Sequence, residues 1–247
     1  MRTSNPALTD NTFEGFGYVR PAESMTMQGS VTKTAILLLL ALLAAGWTWI
    51  QLAKSDATMT SAQTYMAIGA IGGLILALAT VFKPAWAGIT APCYAMVEGL
   101  FLGGISAVME TAYPGIVIQA IVLTFGTLFA MLAAYQSGLI RATENFKLGI
   151  VAATGGIMVA YLVTMVLGFF HVEVPLIYGN GLVGIGFSLF VVIIAALNFI
   201  LDFDFIEQGA KRGAPKYMEW YAGFAMMVTL VWLYVEFLRL LSKLRSR

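Results

Sequence analysis

The chain consists of long apolar segments separated by short polar connections. Seven segments of about 18–24 residues contain few charges, and each is long enough to cross a hydrocarbon core of about 30 Å as an α-helix. Helices are expected because lipid offers the backbone no hydrogen bonds, so each segment must satisfy its own N–H and C=O groups. The predicted spans are residues 34–52, 65–82, 91–112, 115–135, 147–170, 181–201 and 220–241.

The composition agrees with this interpretation. Of the 247 residues, 60% are hydrophobic and 11% are charged, whereas soluble domains carry about 25% charged residues. A net charge of +1 argues against nucleic acid as a partner. The single cysteine, Cys93, excludes an intrachain disulfide. We therefore predict an all-α integral membrane protein, a seven-transmembrane-helix bundle in a lipid bilayer.

The beginning of the chain differs from the rest. Residues 1–32 are polar and interrupted by glycine and proline, so we predict a cytoplasmic or interfacial tail there. Residues 33–247 are predicted to form a single transmembrane bundle. No small-residue cleavage site follows the first apolar run, which indicates an uncleaved span rather than a signal peptide.

Lysine and arginine are concentrated on one side of the predicted topology, which indicates a cytoplasmic N-terminus. On that assignment, Lys54 is the only cation in the outer loops. Seven crossings, however, place Arg239, Lys243, Arg245 and Arg247 outside, and a last segment that re-enters the membrane would return them to the inside. We predict seven crossings. The cations on the predicted inner side are Arg2, Arg20, Lys33, Lys83, Arg141, Lys147, Lys211, Arg212 and Lys216.

Three carboxylates close the sixth span: Asp202, Asp204 and Glu207. A charge at the centre of a membrane helix costs about 2.5–3.5 kcal/mol on insertion scales, so such groups usually face a cavity, a partner or an ion path. For Asp204 and Glu207 the plainer interpretation is a solvated helix end with Lys211 and Arg212 as counter-charges. Asp202 lies deeper in the apolar run and is the stronger functional candidate.

Glu236 interrupts the last span and has two interpretations. Arg239, three residues later, offers an ordinary ion pair on one helix face. Alternatively, Glu236 faces the bundle interior and exchanges a proton with its surroundings. In contact with Asp202, the two carboxyls would not both ionise cheaply, so the pair would share a proton and respond to pH.

Helix geometry does not favour that contact. Reflected about the turn at residues 213–215, Asp202 lies opposite Ala225, about eleven residues and about 16 Å short of Glu236. Contact would need an asymmetric loop, a broken helix or a re-entrant segment.

Glu98 is a third acid inside a predicted span, and it has no basic neighbour in its own segment. It is either a hydrogen-bonded structural acid or part of an ion pathway, with Glu236 or Asn198 as a candidate partner. Small residues four apart, such as Gly69 and Gly73, indicate close helix packing, although they would also relieve crowding around a pore. Gly99 and Gly103 repeat that spacing.

Enzyme chemistry is not expected. His171 is the only histidine, and no second histidine or cysteine cluster accompanies it as a metal site requires. Ser106 and Ser188 have no histidine base inside the bundle, which serine-protease chemistry needs. A retinal protein needs a lysine in the middle of its last span, and residues 218–238 contain none. We expect no cofactor, with Ca²⁺ as a permeant or bound ion.

Three motifs resemble the Bax inhibitor-1 family. The run from Asp202 to Ile206 resembles that family's Asp-x-x-x-Ile ending of the sixth helix. The segment from Leu233 to Leu241 resembles its Leu-Tyr-Leu-Asp motif in the last helix, and residues 94–106 resemble its Gly-Leu-x-x-Gly pattern in the third. The match is good over the last fifty or so residues, and the helix layout agrees throughout.

The resemblance implies a seven-helix fold with six helices around a hydrophobic C-terminal helix. It also implies a pH-dependent Ca²⁺ leak controlled by two acids, here Asp202 and Glu236, which are then the candidate Ca²⁺ ligands. Glu236 stands where the family usually has Asp, the segment between the acids is longer than usual, and Lys83 alone represents a basic cluster of some relatives. The subgroup looks bacterial, which implies the inner membrane.

Three functions follow as hypotheses. The first is a pH-gated cation leak, closed while Asp202 and Glu236 share a proton and opened on deprotonation by their repulsion, with Glu98, Asp204 and Glu207 along the ion pathway. The second is a non-conducting regulator that binds another membrane protein, such as a quality-control protease, through residues 1–32 and the glycine-lined faces. The third is a proton-coupled transporter that uses the same acids.

Overall fold

The computed structural model describes residues 24–54, 59–170 and 179–246. The predicted positions in residues 1–23, His171 and Arg247 lie outside these ranges. The described residues form seven long α-helices, each long and apolar enough to cross a membrane, which confirms the predicted fold. The helices are α1 (Met27–Lys54), α2 (Met59–Phe82), α3 (Ala87–Ala112), α4 (Ile116–Gln136), α5 (Glu144–Phe169), α6 (Leu182–Lys211) and α7 (Met218–Arg245), with a 3-10 turn at Pro84–Trp86 before α3.

Most helices extend beyond the apolar segments that predict them, and α1 and α6 do so the furthest. Helix α1 begins at Met27, because the Thr26 side chain accepts a hydrogen bond from the backbone N–H of Gly29 at 2.9 Å and caps the first turn. Helix α6 continues to Lys211, ten residues past the predicted span. Hydropathy marks only the part of a helix that lies in hydrocarbon, whereas caps decide where the helix ends.

The end of α6 is a Schellman motif. The N–H of Ala214 donates to the carbonyl of Gly209 at 3.1 Å, and the N–H of Gly213 donates to Ala210 at 3.2 Å. Gly213 has φ +65°, a left-handed conformation that glycine adopts without a Cβ clash. The connection to α7 is therefore short, and both flanking helices are continuous.

The described chain divides into two compact units. The α4–α5 unit contains α4, α5, α6 through Phe203 and α7 from Thr229. The α1–α3 unit contains α1, α2, α3, α6 from Asp204 and α7 through Val228. The predicted organisation as one bundle after residue 32 stays a prediction.

Glycines hold the α1–α3 unit together by close packing. A Cβ on Gly99 would lie 2.5 Å from the carbonyl oxygen of Ala41, and one on Gly103 would lie 2.5 Å from that of Ala45. Only glycine lets α3 approach the α1 backbone this closely. The close helix packing that the spacing of Gly99 and Gly103 predicts is therefore found between α3 and α1.

The core of the α4–α5 unit lies between α5 and α6. Ile150 and Ile157 of α5 pack with Val191, Ile194 and Leu201 of α6. Helix α7 is the most buried of the seven: 67% of its most apolar stretch is buried, compared with 50% for α6 and at most 33% for the others. This burial agrees with a hydrophobic C-terminal helix in the interior.

Candidate functional site

Glu236 is the centre of a buried polar cluster in the α4–α5 unit. Its side chain is 1% exposed. Its Oε1 atom accepts a hydrogen bond from the Tyr161 hydroxyl of α5 at 2.8 Å and one from Arg239 at 2.7 Å. Arg239 also donates to the Tyr161 oxygen, and its guanidinium lies 4.9 Å from the centre of the Tyr161 ring. The intrahelical pair with Arg239 is therefore present, but it faces a second helix rather than water.

The second carboxylate oxygen of Glu236 is different. Oε2 is buried and accepts no hydrogen bond within the described residues. The Trp232 indole, one turn earlier on α7, faces the carboxylate without reaching hydrogen-bond geometry at that atom. An unsatisfied buried acceptor costs about 1–3 kcal/mol, and a proton that binds to this oxygen displaces no hydrogen bond.

Asp202 contacts α7 at a different level. Its side chain is buried, and its Oδ2 atom accepts a hydrogen bond from the Thr229 hydroxyl at 2.6 Å. Thr229 and Glu236 are seven residues apart on α7, which is about two turns and about 10 Å along the helix axis. The hydrogen bonds of Glu236 go to Tyr161 and Arg239, and none goes to Asp202.

No hydrogen bond joins the carboxyls of Asp202 and Glu236 within the described residues, and the shared proton stays a prediction. Thr229, the observed partner of Asp202, lies four residues after Ala225, the residue that hairpin geometry places opposite Asp202. The difference is about one helical turn. Helices α6 and α7 are continuous, and the broken or re-entrant segment that contact would require is absent from this described part of the chain.

Further buried polar groups lie on the same three helices, α5, α6 and α7. The Asn198 amide of α6 donates to Thr154 of α5 at 3.0 Å. Lys243 of α7 is 4% exposed and donates to the hydroxyl of Ser188 at 2.9 Å and to the carbonyl of Gly184 at 3.0 Å. We call this row the polar ladder. Its members are Asp202, Thr229, Asn198, Thr154, Glu236, Tyr161, Arg239, Lys243, Ser188 and Gly184.

The spacing of α7 explains why its members share one face. Thr229, Glu236 and Lys243 are seven residues apart, and seven residues of a 3.6-residue helix return to nearly the same direction. The sequence offers no indication of Tyr161 or of the role of Thr229, and it suggests Lys243 only as a C-terminal cation and Ser188 only as a nucleophile. The heptad spacing of polar residues in an otherwise apolar helix is the signal that could have identified this face.

The other predicted acids belong to the α1–α3 unit and are not members of the ladder. Glu98 lies opposite Gly73 of α2, where a Cβ would be 2.5 Å from its Oε2 atom. Asp204 is half-buried. Glu207 pairs with Lys211 one turn later. This is the counter-charge expected if Glu207 lies at a solvated helix end.

A family model described as Bax inhibitor 1 like matches residues 5–246, nearly the whole chain. The chain belongs to the Bax inhibitor 1 like family. No curated protein and no solved structure matches it. Family membership and seven apolar helices establish an integral membrane protein of this kind, and the matched range includes the entire polar ladder.

This family member has no preformed metal centre in its described residues, where no group of three or more His, Cys, Asp or Glu side chains could hold a metal ion. Ca²⁺ takes about six to eight oxygen ligands, and Glu236 lies about two turns along α7 from Thr229, the residue that Asp202 contacts. The assignment of Asp202 and Glu236 as Ca²⁺ ligands stays a prediction.

Glu219 is a buried acid that sequence reasoning missed. At the start of α7, it accepts hydrogen bonds from the backbone N–H and the hydroxyl of Thr26 at 3.1 and 2.9 Å and pairs with Lys216 at 3.2 Å. Any side chain at Gly29 would run into this carboxylate. Its negative charge lies at the N-terminus of α1, where the helix dipole favours an anion, so Glu219 anchors α1.

Proposed function

We propose that this Bax inhibitor 1 like protein is a pH-sensitive cation leak in which Glu236 gains and loses the controlling proton. The observation that supports this most directly is the environment of Glu236. The carboxylate is buried in a membrane-spanning helix, held by Arg239 and Tyr161 through one oxygen, and without a hydrogen-bond donor at the other.

The ion pair gives the pH response a direction. Ionised Glu236 attracts Arg239 and accepts a hydrogen bond from Tyr161, so it ties α7 to α5. The other charged group that faces it is Lys243. Protonation removes the negative charge, and the attraction to Arg239 disappears with it. A buried pair that loses one charge is strongly destabilised, so α5 and α7 separate more easily in acid. This direction is opposite to that expected for two carboxyls in contact.

The ladder also offers a path for a hard cation. Its oxygen groups come from Asp202, Thr154, Ser188 and Glu236, and oxygen is the ligand that Ca²⁺ prefers. Arg239 and Lys243 place two fixed positive charges in the same row, and such charges act as electrostatic barriers to cations. A slow leak, rather than a fast channel, is the conduction that this arrangement favours.

The proposed orientation follows the lysine and arginine bias, with the N-terminus in the cytoplasm. The Asp202 end of the ladder then faces the cytoplasm, and the Lys243 end faces the opposite side. The bacterial inner membrane is the proposed location, on the resemblance alone.

Ca²⁺ uptake into liposomes that contain the purified protein tests the proposal. We expect uptake to rise as the buffer is changed from mildly alkaline to mildly acidic. Glu236→Gln carries no charge at any pH, so its uptake should stay near the acid level of the native protein. Glu144→Gln is the matched control, because the Glu144 side chain is 78% exposed at the start of α5, and its pH profile should match that of the native protein.

A pH profile unchanged by Glu236→Gln would count against the mechanism. No uptake by any variant, the native protein included, would favour the non-conducting regulator instead. Deleting residues 2–28 should then abolish binding of the partner membrane protein. Proton movement that depends on an added substrate would favour the proton-coupled transporter.

A further inference from the structure

Glu98 is a half-buried acid that is not a member of the polar ladder. It lies near the middle of α3, eleven residues after Ala87 and fourteen before Ala112. At 1.5 Å per residue these distances are about 16 and 21 Å, so a helix that crosses the membrane holds this carboxyl deep in the hydrocarbon.

The Glu98 carboxyl lies against a glycine and beside an aromatic ring. Gly73 of α2 leaves room for the carboxyl, and the Tyr94 ring lies beside the same gap, 3.7 Å from the position of a Gly73 Cβ. Tyr94 packs in turn on Phe224 of α7, with the ring centres 5.0 Å apart. Within the described residues, no hydrogen bond or ion pair reaches the Glu98 carboxyl.

No charge from the neighbouring helices compensates it. Helix α2 contains no charged residue at all, and the charges of α1, Lys33 and Lys54, lie toward its two ends. Within the α1–α3 unit, the part of α7 that precedes Thr229 carries only Glu219, in its first turn. Tyr94 is the titratable group that faces Glu98.

These surroundings favour a proton over a metal ion as the ligand. An ionised carboxylate without a partner is very costly away from water, whereas the neutral acid is far less so. Ca²⁺ needs about six to eight oxygens, and this gap offers one carboxyl. Glu98 is also partly exposed, so a small apolar reagent dissolved in the bilayer can reach it.

We propose that Glu98 is a second proton-binding site, separate from the polar ladder, and that its protonated carboxyl is a modification site for apolar carbodiimides. In that reaction the carboxyl proton moves to one carbodiimide nitrogen. The carboxyl oxygen bonds to the central carbon, and one C=N bond becomes single. The acyl group then migrates to nitrogen and leaves a stable N-acylurea. The reaction needs no other reactant.

The test treats the full-length protein in liposomes with dicyclohexylcarbodiimide and locates the adduct by peptide mass spectrometry. We expect one adduct on the peptide that contains Glu98, and we expect labelling to fall as the pH is raised because an ionised carboxylate has no proton to transfer. A water-soluble carbodiimide is the matched reagent. It should label Glu144, whose side chain is 78% exposed, and leave Glu98 unmodified.

Two variants complete the test. Glu98→Gln should lose the adduct, and Glu236→Gln should keep it, because the two acids belong to different sites. Gly73→Val fills the gap next to Oε2 and should reduce labelling without removing the acid. The native protein alone already decides the outcome if a variant fails to fold. Native protein without an adduct at Glu98, labelling that does not fall at high pH, or equal labelling by the water-soluble reagent would each overturn the proposal. Ca²⁺ uptake is not part of this readout, so the proposed leak succeeds or fails separately.

Discussion

Glu236 and Arg239 form an ion pair that faces another helix rather than water. Exposed pairs contribute about 0–1 kcal/mol, but breaking a buried pair by removing one partner costs about 3–5 kcal/mol. Glu236 is fully buried, whereas 30% of the Arg239 side chain is exposed, so this pair lies between the two cases. The exposed side of Arg239 also lets it turn toward solvent when Glu236 is neutral.

At the residue scale, Arg239→Gln should act like acid on the native protein. It leaves Glu236 without its counter-charge, so we expect a loss of stability of about 1–3 kcal/mol and Ca²⁺ uptake at neutral pH near the native acid level. Thermal unfolding in detergent and liposome uptake measure the two effects. The double variant with Glu236→Gln should recover part of the stability, because no lone charge stays buried. Additive losses in the double variant would contradict the pairing.

The sequence could identify the acids of the site and the intrahelical partner Arg239, but not the partners that other helices supply. Asp202, Glu236 and Glu98 stand out because charged residues are rare in apolar spans. Tyr161 does not, since a tyrosine is ordinary in a membrane helix and it lies 75 residues from Glu236 in the chain. The pairing of Asp202 with Thr229 was within one turn of the hairpin estimate. Contact between Asp202 and Glu236 is suggested by two acids in neighbouring spans and by the family resemblance, whereas helix geometry does not favour it.

At the scale of helices, glycine position matters more than glycine content. Gly99 and Gly103 of α3 are pressed against the α1 backbone, while Gly126 of α4 has open space where a Cβ would lie. Spacing by four residues predicts that a glycine pair packs closely, but it does not predict which helix lies opposite. That depends on the tertiary arrangement, which local pattern does not contain.

Gly103→Ala and Gly126→Ala form a matched pair that tests this difference. A methyl group on Gly103 would lie 2.5 Å from the Ala45 carbonyl oxygen, so α1 and α3 must move apart, and overpacking of this kind costs about 1–3 kcal/mol. At Gly126 the same change meets nothing and should be neutral or stabilising, by up to about 1 kcal/mol, because alanine is the better helix former. Thermal unfolding of both variants in one detergent measures the difference. Equal midpoints would show that the α1–α3 approach contributes nothing.

At the scale of the whole molecule, the sequence leaves open on which side of the membrane the C-terminal cations lie. Seven crossings place Arg239 and Lys243 on the outer side, against the usual bias. The structure gives both of them buried partners, Glu236 for the arginine and Ser188 for the lysine. Both cations belong to the ladder and are not free loop charges. The lysine and arginine bias of the loops is therefore a weaker argument against a C-terminus on the outer side. The number and order of the helices could be predicted from hydropathy, but the pairing of Arg239 and Lys243 with buried partners could not.

An odd number of crossings predicts that the two ends of the described chain lie on opposite sides of the membrane. Helix α7 is an uninterrupted helix of 28 residues, about 42 Å long, which exceeds the hydrocarbon thickness of about 30 Å. In a Cys93→Ser background, we expect a membrane-impermeant maleimide to reach Gln28→Cys and Ser246→Cys from opposite faces of oriented vesicles. Leu139→Cys, exposed in the α4–α5 connection, should be labelled from the same face as Gln28→Cys, since four helices separate them. Labelling of Gln28→Cys and Ser246→Cys from one face would mean that α7 does not cross, and Lys243 would then lie at the cytoplasmic end of the ladder.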